Sequence, residues 1–301
     1  MDNEAFQPAR YRVQYGCLYR REELPTSYAI RVHELGHGHV EASVLPVYAW
    51  GEMGALEPAA LHDLQMATGH IYVDGEWVPA PSRQTDLLDK VALNRERSAR
   101  RAKTSVRRLV KAKALTTMLT LTYQENMQDR ERLARDFDVF VKRVRRVVPG
   151  FQYVCVFERQ KRGAWHAHIA VESVLSHYVS RGTLVKSYDL LRSMWRGVIG
   201  AGGNVDVSRG RRLGRSMSKL SNYLSKYITK GFLGGDFGEG DSYRASGRAL
   251  PKPTYVRVTG DLPSALTALL DLVEVDYSRP GAKFHHALLD CGGYFVSISP
   301  D

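Results

Sequence analysis

Apolar and polar positions along the 301-residue chain change rhythm several times, and each rhythm predicts an element. Residues 115–123 are rich in β-branched and apolar side chains, which predicts a strand. Over 128–148 the apolar positions Leu133, Phe137, Phe140, Val141, Val144 and Val148 recur at a helical period, which stops at Pro149-Gly150. Residues 151–157 and 165–171 read as two strands flanking the basic turn Lys161-Arg162-Gly163, hence as a hairpin. A short amphipathic helix is predicted over 187–199, then a strand over 204–207. A further helix over 216–232 is stopped by Gly231 and the Gly234-Gly235 pair. Beyond Gly260, residues 262–275 predict a helix and 293–298 a strand. This order predicts an α+β fold, a central and mostly antiparallel sheet with helices packed on it.

Residues 1–94 lack that regularity. Short apolar runs at 28–32 and 40–50 are broken by glycine and proline, and the stretch from Gly69 predicts two strands around an Asp74-Gly75 turn. This mixed, β-rich portion is expected to be an accessory region. The segment 95–113, RERSARRAKTSVRRLVKAK, then carries nine Lys or Arg against one Glu and is compatible with a helix. Such charge would lie beside a phosphate backbone, so 95–114 is read as a DNA-contacting basic arm in preference to a solvated helix. The expected organisation is therefore 1–94 accessory, 95–114 basic arm, 115–260 the main α+β domain, and 261–301 a C-terminal helix and strand.

At 44% hydrophobic and 25% charged residues the composition is that of a globular protein with a packed core. Lys and Arg number 43 against 32 Asp and Glu, a net charge of +11, which favours a polyanionic partner, nucleic acid before membrane. Cys17, Cys155 and Cys291 are odd in number and far apart, which argues against a disulfide framework or a thiolate metal site. The polar MDNEAFQPAR opening predicts no secretory leader, and no apolar stretch reaches the ~20 residues a membrane helix needs. A cytoplasmic setting in a bacterial host is the expectation. Nothing matches GxxxxGK[ST], so no ATPase or helicase module is expected in this sequence.

Three elements carry candidate chemistry. In Trp165-His166-Ala167-His168-Ile169, strand alternation puts both histidines on one face and their neighbours on the other, a pairing suited to metal ligation. Glu158 ends the preceding strand of the same hairpin, where its carboxylate could join the imidazoles. Two nitrogens and one carboxylate without sulfur suit Mg²⁺ or Mn²⁺ acting on a phosphodiester, with Zn²⁺ also compatible. Tyr223-Leu224-Ser225-Lys226-Tyr227-Ile228-Thr229-Lys230 places two tyrosines one helical turn apart, and Lys226 and Lys230 each follow a tyrosine by three residues. A nearby ammonium favours the phenolate over a phenol whose ordinary pKa is about 10.

In this order the three elements resemble the HUH endonucleases, especially phage and plasmid rolling-circle replication initiators. The first motif of that group is matched by Leu119-Thr120-Leu121-Thr122-Tyr123, the second by His166-Ala167-His168, and the two-tyrosine third by Tyr223 to Lys230. The resemblance covers about 115–253. It implies an antiparallel sheet whose middle strands present His166, His168 and Glu158 to the tyrosine helix. It also implies a divalent metal and attack by Tyr223 or Tyr227 on origin DNA. The product would be a 5′-phosphotyrosine and a free 3′-hydroxyl, later rejoined without ATP. The implied partners are single-stranded origin DNA and a host helicase and polymerase. Arg209 to Arg215 and the basic arm could grip phosphates, and Trp165 or Trp195 could either stack on bases or lie in the core.

Other readings compete. His33-Glu34-Leu35-Gly36-His37 is formally HExxH, but its glycines favour a turn or strand over the helix that a metalloprotease needs. An HUH transposase or relaxase is the nearer rival, although relaxases usually place three histidines after an N-terminal tyrosine. A basic DNA-binding protein without enzymatic activity would make the histidine pair and tyrosine helix coincidental.

Overall fold

The computed structural model describes residues 10–55, 59, 62–63, 65, 70–73, 76–79, 86–172, 174–200, 202–208, 216–233, 243–273 and 282–300. Among them the strands, in chain order, begin with β1 (Tyr11–Gln14), β2 (Cys17–Arg21), β3 (Ser27–Gly36), β4 (His39–Val47), β5 (Trp50–Ala55), β6 (His70–Val73) and β7 (Glu76–Pro79). They continue with β8 (Thr117–Tyr123), β9 (Tyr153–Arg159), β10 (Trp165–Val171), β11 (His177–Ser180), β12 (Thr183–Lys186) and β13 (Gly203–Ser208). The last four are β14 (Arg244–Ala245), β15 (Thr254–Thr259), β16 (Lys283–Leu288) and β17 (Tyr294–Ser299). The helices are α1 (Asp86–Ala112), α2 (Arg130–Arg145), α3 (Ser187–Ile199), α4 (Met217–Leu233) and α5 (Leu262–Val273). The fold is α+β, and its two larger sheets run β13-β8-β10-β9-β14 and β15-β3-β4-β17-β16 with antiparallel pairing throughout.

The first sheet is covered on both faces. Leu119, Leu121, Cys155, Phe157, Trp165, Ala167 and Ile169 point to one side, where α2 and α3 add Phe137, Phe140 and Trp195. Met118, Val154, Val156 and Ala170 point to the other, against Val106 and Leu109 of α1 and Leu220, Leu224 and Ile228 of α4. Strand β10 sits in the middle and is buried along its whole length, which is why its sequence lacks a clear polar face. Trp165 and Trp195 belong to this core at 5% and 0% exposure, so neither is available to stack on a base.

Local chemistry sets the helix ends around that sheet. Asp129 caps α2 by accepting from the Arg132 backbone N–H at 2.9 Å, and Lys142, Arg143 and Arg145 occupy its last turn, where the dipole favours cations. Gly200 ends α3 in the left-handed region at φ 69°. Ser216 precedes α4 and accepts from the Lys219 backbone N–H at 3.1 Å, satisfying one otherwise orphaned donor.

The second sheet joins segments from opposite ends of the chain: β3 and β4 pair with β15 and β17. Its apolar face, with Ile30, Val32, Val44 and Val296, is covered by Ala265 and Leu269 of α5. Its other face is polar and meets α1 through Glu41. That carboxylate is fully buried and accepts from Arg107 Nε (2.8 Å) and Nη2 (2.9 Å), Arg108 Nε (2.9 Å) and Lys111 Nζ (3.0 Å). Burial pushes the Glu41 carboxyl up, but Arg107, then Lys111 and Arg108 outweigh it and hold it at about 2. Three cations of the expected DNA-contacting arm are thus spent on fixing α1 to this sheet. Arg95, Arg97, Arg101 and Lys103 remain exposed on the same helix.

The HExxH stretch lies on β3 and in the turn after it, with His37 at φ 53°. The helical geometry of a zinc protease is absent there. No described helix is long and apolar enough to cross a membrane. The predicted Asp74-Gly75 turn and the basic run Arg209 to Arg215 lie outside the described residues.

Candidate functional site

Antiparallel register brings the candidate residues of β8, β9 and β10 to one face. His166 pairs directly with Glu158 and His168 with Thr120, so all four side chains rise on the side of the sheet that carries α4. Glu158, His166 and His168 are all buried, at 9%, 7% and 6% exposure. Such burial of polar groups is tolerated only with hydrogen-bond partners, and these are present. His168 Nε2 meets Glu158 Oε2 at 2.8 Å and its Nδ1 meets Thr120 Oγ1 at 3.3 Å. His166 Nδ1 meets the Gln160 amide at 3.0 Å.

The tyrosine helix closes over this cluster. Leu220, Leu224 and Ile228 seat α4 on the sheet, and buried Ser221 and Ser225 turn their hydroxyls back to the Ser218 and Ser221 carbonyls. Tyr223 and Tyr227 flank that buried stripe. The Tyr227 ring stacks on His168 with centroids 4.1 Å apart and planes 5° from parallel. Tyr223 meets Tyr227 edge to face at 5.1 Å, and the Tyr227 hydroxyl donates to the Tyr223 oxygen. Glu158, His166, His168, Tyr223 and Tyr227 are therefore brought together. Lys226, rotated toward solvent, is exposed and makes no hydrogen bond or ion pair with either phenol. The side chain of Lys230 lies outside the described residues.

Burial shapes the electrostatics. The His166 imidazole titrates below its ordinary range because of burial first and the neighbouring His168 second, so it is neutral at neutral pH with a ring lone pair to offer. The Tyr227 phenol is pushed far above its ordinary value by burial and then by its hydrogen bond with Tyr223, which keeps it protonated. Tyr123, the last residue of the Thr-Leu-Thr motif, is raised for a similar reason. It is buried and donates to Asp136 Oδ2 at 2.8 Å, a structural role.

The donor set fits a divalent cation in kind: two imidazoles and a carboxylate, with no thiolate. Ligation through Nε2 of each ring leaves the Nδ1 protons for Thr120 and Gln160, with the Gln160 amide turned to present its oxygen. In the present arrangement Glu158 takes His168 Nε2 for itself, and the two imidazole centroids are 6.4 Å apart. Among the described residues no three His, Cys, Asp or Glu side chains are already gathered around one point.

Sequence reasoning missed Gln160 and the contact made by Thr120. Gln160 follows Glu158 by two and thus shares its face, a signal that alternation could have supplied. Thr120 belongs to the matched motif, but its partner emerges only from the β8–β10 register.

No curated protein and no solved structure matches the chain. Residues 116–232 match a family model described as Replication-associated protein ORF2, a span that runs from the start of β8 almost to the end of α4 and contains every residue of the cluster. That likeness supports a replication-associated protein.

Proposed function

We propose that the chain is a rolling-circle replication initiator of the HUH endonuclease type, which nicks and rejoins single-stranded origin DNA through tyrosine. The observation that carries this reading is the stacking of Tyr227 on His168, within a cluster that also holds Glu158, His166 and Tyr223. A nucleophile and a ligand set from three separate stretches of sequence meet within the segment that resembles replication-associated proteins. A tyrosine oxygen attacks an origin phosphodiester, keeps the 5′-phosphate as a phosphotyrosine and frees a 3′-hydroxyl. The reverse attack reseals the strand.

Because burial keeps Tyr227 protonated, it acts as hydrogen-bond donor, and Tyr223 is the first nucleophile in this arrangement. The donor steadies the negative charge on Tyr223 as its proton leaves. His166, His168 and Glu158 would hold Mg²⁺ or Mn²⁺, which polarises the scissile phosphate and neutralises charge on its non-bridging oxygens. Lys226, exposed on the outer side of α4, is suited to the incoming strand more than to the phenols. The partners of this reaction are single-stranded origin DNA and, in the cytoplasm of a bacterial host, a helicase and a polymerase that extends the 3′-hydroxyl.

The test is a denaturing gel of labelled origin oligonucleotide incubated with protein and Mn²⁺. Wild type gives a protein–DNA adduct that disappears with chelator, with His166→Ala and with Tyr223→Phe. Tyr227→Phe removes a hydrogen bond to a charged oxygen, worth about 1.5–3 kcal/mol, so the first cut slows by roughly 10- to 150-fold. Folded protein that binds the origin yet forms no adduct with any divalent metal would overturn the proposal. So would an adduct that survives replacement of both tyrosines.

A further inference from the structure

Beyond the tyrosine cluster, a cleft of about 290 Å³ opens on the other flank of α4, between that helix, α1 and the polar face of the second sheet. Its volume is near the lower end of ordinary ligand clefts, roughly 300–1,000 Å³, so it suits a unit the size of one nucleotide. Arg107 and Lys111 line it from α1, Ser218 and Asn222 from α4, and Lys283 and His285 from β16. Among the described residues that line it none is acidic.

The charge beneath the cleft is unbalanced. Glu41 neutralises one cation, yet Arg107, Arg108 and Lys111 all converge on it, with side chains only 24%, 18% and 4% exposed. Two positive charges are thus in excess at a partly desolvated place, where water screens them poorly. Exposed Lys283 adds a third at the rim. Such a surplus beside polar hydroxyl and amide donors is complementary to a phosphate group.

The cleft also connects to the tyrosines. Lys219, Asn222 and Lys226 are exposed on α4 at i, i+3 and i+7, a single stripe that runs between the cleft and Tyr223. Asn222 belongs to both the stripe and the cleft wall. A strand lying on Tyr223 therefore reaches the cleft by crossing one helix, about 10–12 Å wide with its side chains.

We propose that this cleft holds a backbone phosphate of single-stranded DNA, a few nucleotides from the bond that Tyr223 attacks, and so steers the strand across α4. The proposal rests on the nicking reading above for the identity of its ligand. Its role is positioning: the contact is to phosphate, so it sets register without reading sequence.

The experiment measures binding of full-length protein to a labelled single-stranded origin oligonucleotide by fluorescence anisotropy, without divalent metal, over a range of salt. Lys283→Gln alters an exposed side chain, and a thermal melt checks that the fold is intact. Loss of one phosphate contact lowers the salt slope by about 0.7, which weakens binding about 8-fold at 0.05 M salt and about 3-fold at 0.2 M. Asn222→Asp, which adds a negative charge on the opposite wall, should weaken binding in the same sense. Unchanged affinity and slope in Lys283→Gln would overturn the cleft. The adduct gel separates the two proposals. Adduct formation with binding that ignores Lys283 refutes the cleft alone, whereas Lys283-dependent binding by a protein that forms no adduct refutes nicking and leaves the cleft standing.

Discussion

Replacing Glu41 by glutamine isolates the ion cluster that fastens the second sheet to α1. The carboxylate accepts two hydrogen bonds at each oxygen: Arg107 Nε and Lys111 Nζ at Oε1, Arg107 Nη2 and Arg108 Nε at Oε2. In Glu41→Gln one oxygen becomes an amide nitrogen, so two of the four contacts set donor against donor. The charge that three cations share is lost at a site with no solvent exposure. Removing one partner of a buried ion cluster costs about 3–5 kcal/mol, because the other partners stay buried and uncompensated. At roughly 2–4 °C per kcal/mol for a domain of ~200 residues, the melting temperature should fall by roughly 6–20 °C. Circular dichroism during a thermal ramp at neutral pH measures this directly. A companion variant with Glu41→Leu, Arg107→Leu and Lys111→Met together should recover much of the loss, since apolar replacement of a whole buried cluster is often neutral. A fall of less than about 1 kcal/mol for Glu41→Gln would refute the reasoning and show that solvent reaches the cluster freely.

Two further outcomes follow from buried positions. His33, 4% exposed and facing Glu41 across β3 and β4, titrates down at about 4 because of burial first, then Arg108 and Arg31. Its folded pKa lies below the unfolded value of 6.5, so the unfolded chain takes up a proton first and stability is lost as pH falls from 6.5 toward about 4. Urea unfolding should show that decline in wild type and a flatter profile in His33→Gln, and equal declines in both would absolve His33. Gly203→Ala would put a Cβ 2.6 Å from Ile199 Cδ1 and 2.9 Å from the Thr122 carbonyl oxygen, which already accepts from Trp195 Nε1. Overpacking of that kind costs about 1–3 kcal/mol, visible as a lower melting temperature, and an unchanged melt would mean that the β8–β13 edge yields easily.

Local patterns carried the central domain well. The period-3.6 apolar run of α2, the β9–β10 hairpin around Gly163 and the tyrosine helix all follow from neighbours in sequence, and alternation alone put Trp165, Ala167 and Ile169 opposite the histidines. Pairing between distant segments was not legible. Strand β3 joins β15 and β4 joins β17 across more than two hundred residues, and no local preference encodes such a partner. The basic arm shows the same limit from the side of charge. Its density is plain in the sequence, but Arg107, Arg108 and Lys111 answer to a single carboxylate at Glu41, which sits in an ordinary run of β4. Lys226 was paired with Tyr223 on spacing alone, and the rotation of α4 on its sheet turns it outward.

The place of β10 in the middle of its sheet has a consequence for control. The two histidines stand on a strand hydrogen-bonded on both edges and packed on both faces. Their backbone can open only when the whole sheet opens, as the innermost elements of a cooperative unit do. Fraying, loop motion or a nick at the periphery leaves them where they are. Helix α4 is held along one stripe only, with its outer side in water. An inhibitor, a partner or an evolving variant that tunes this protein without unfolding it therefore has to act on the tyrosines, by tilting or sliding the helix that carries them over a fixed floor.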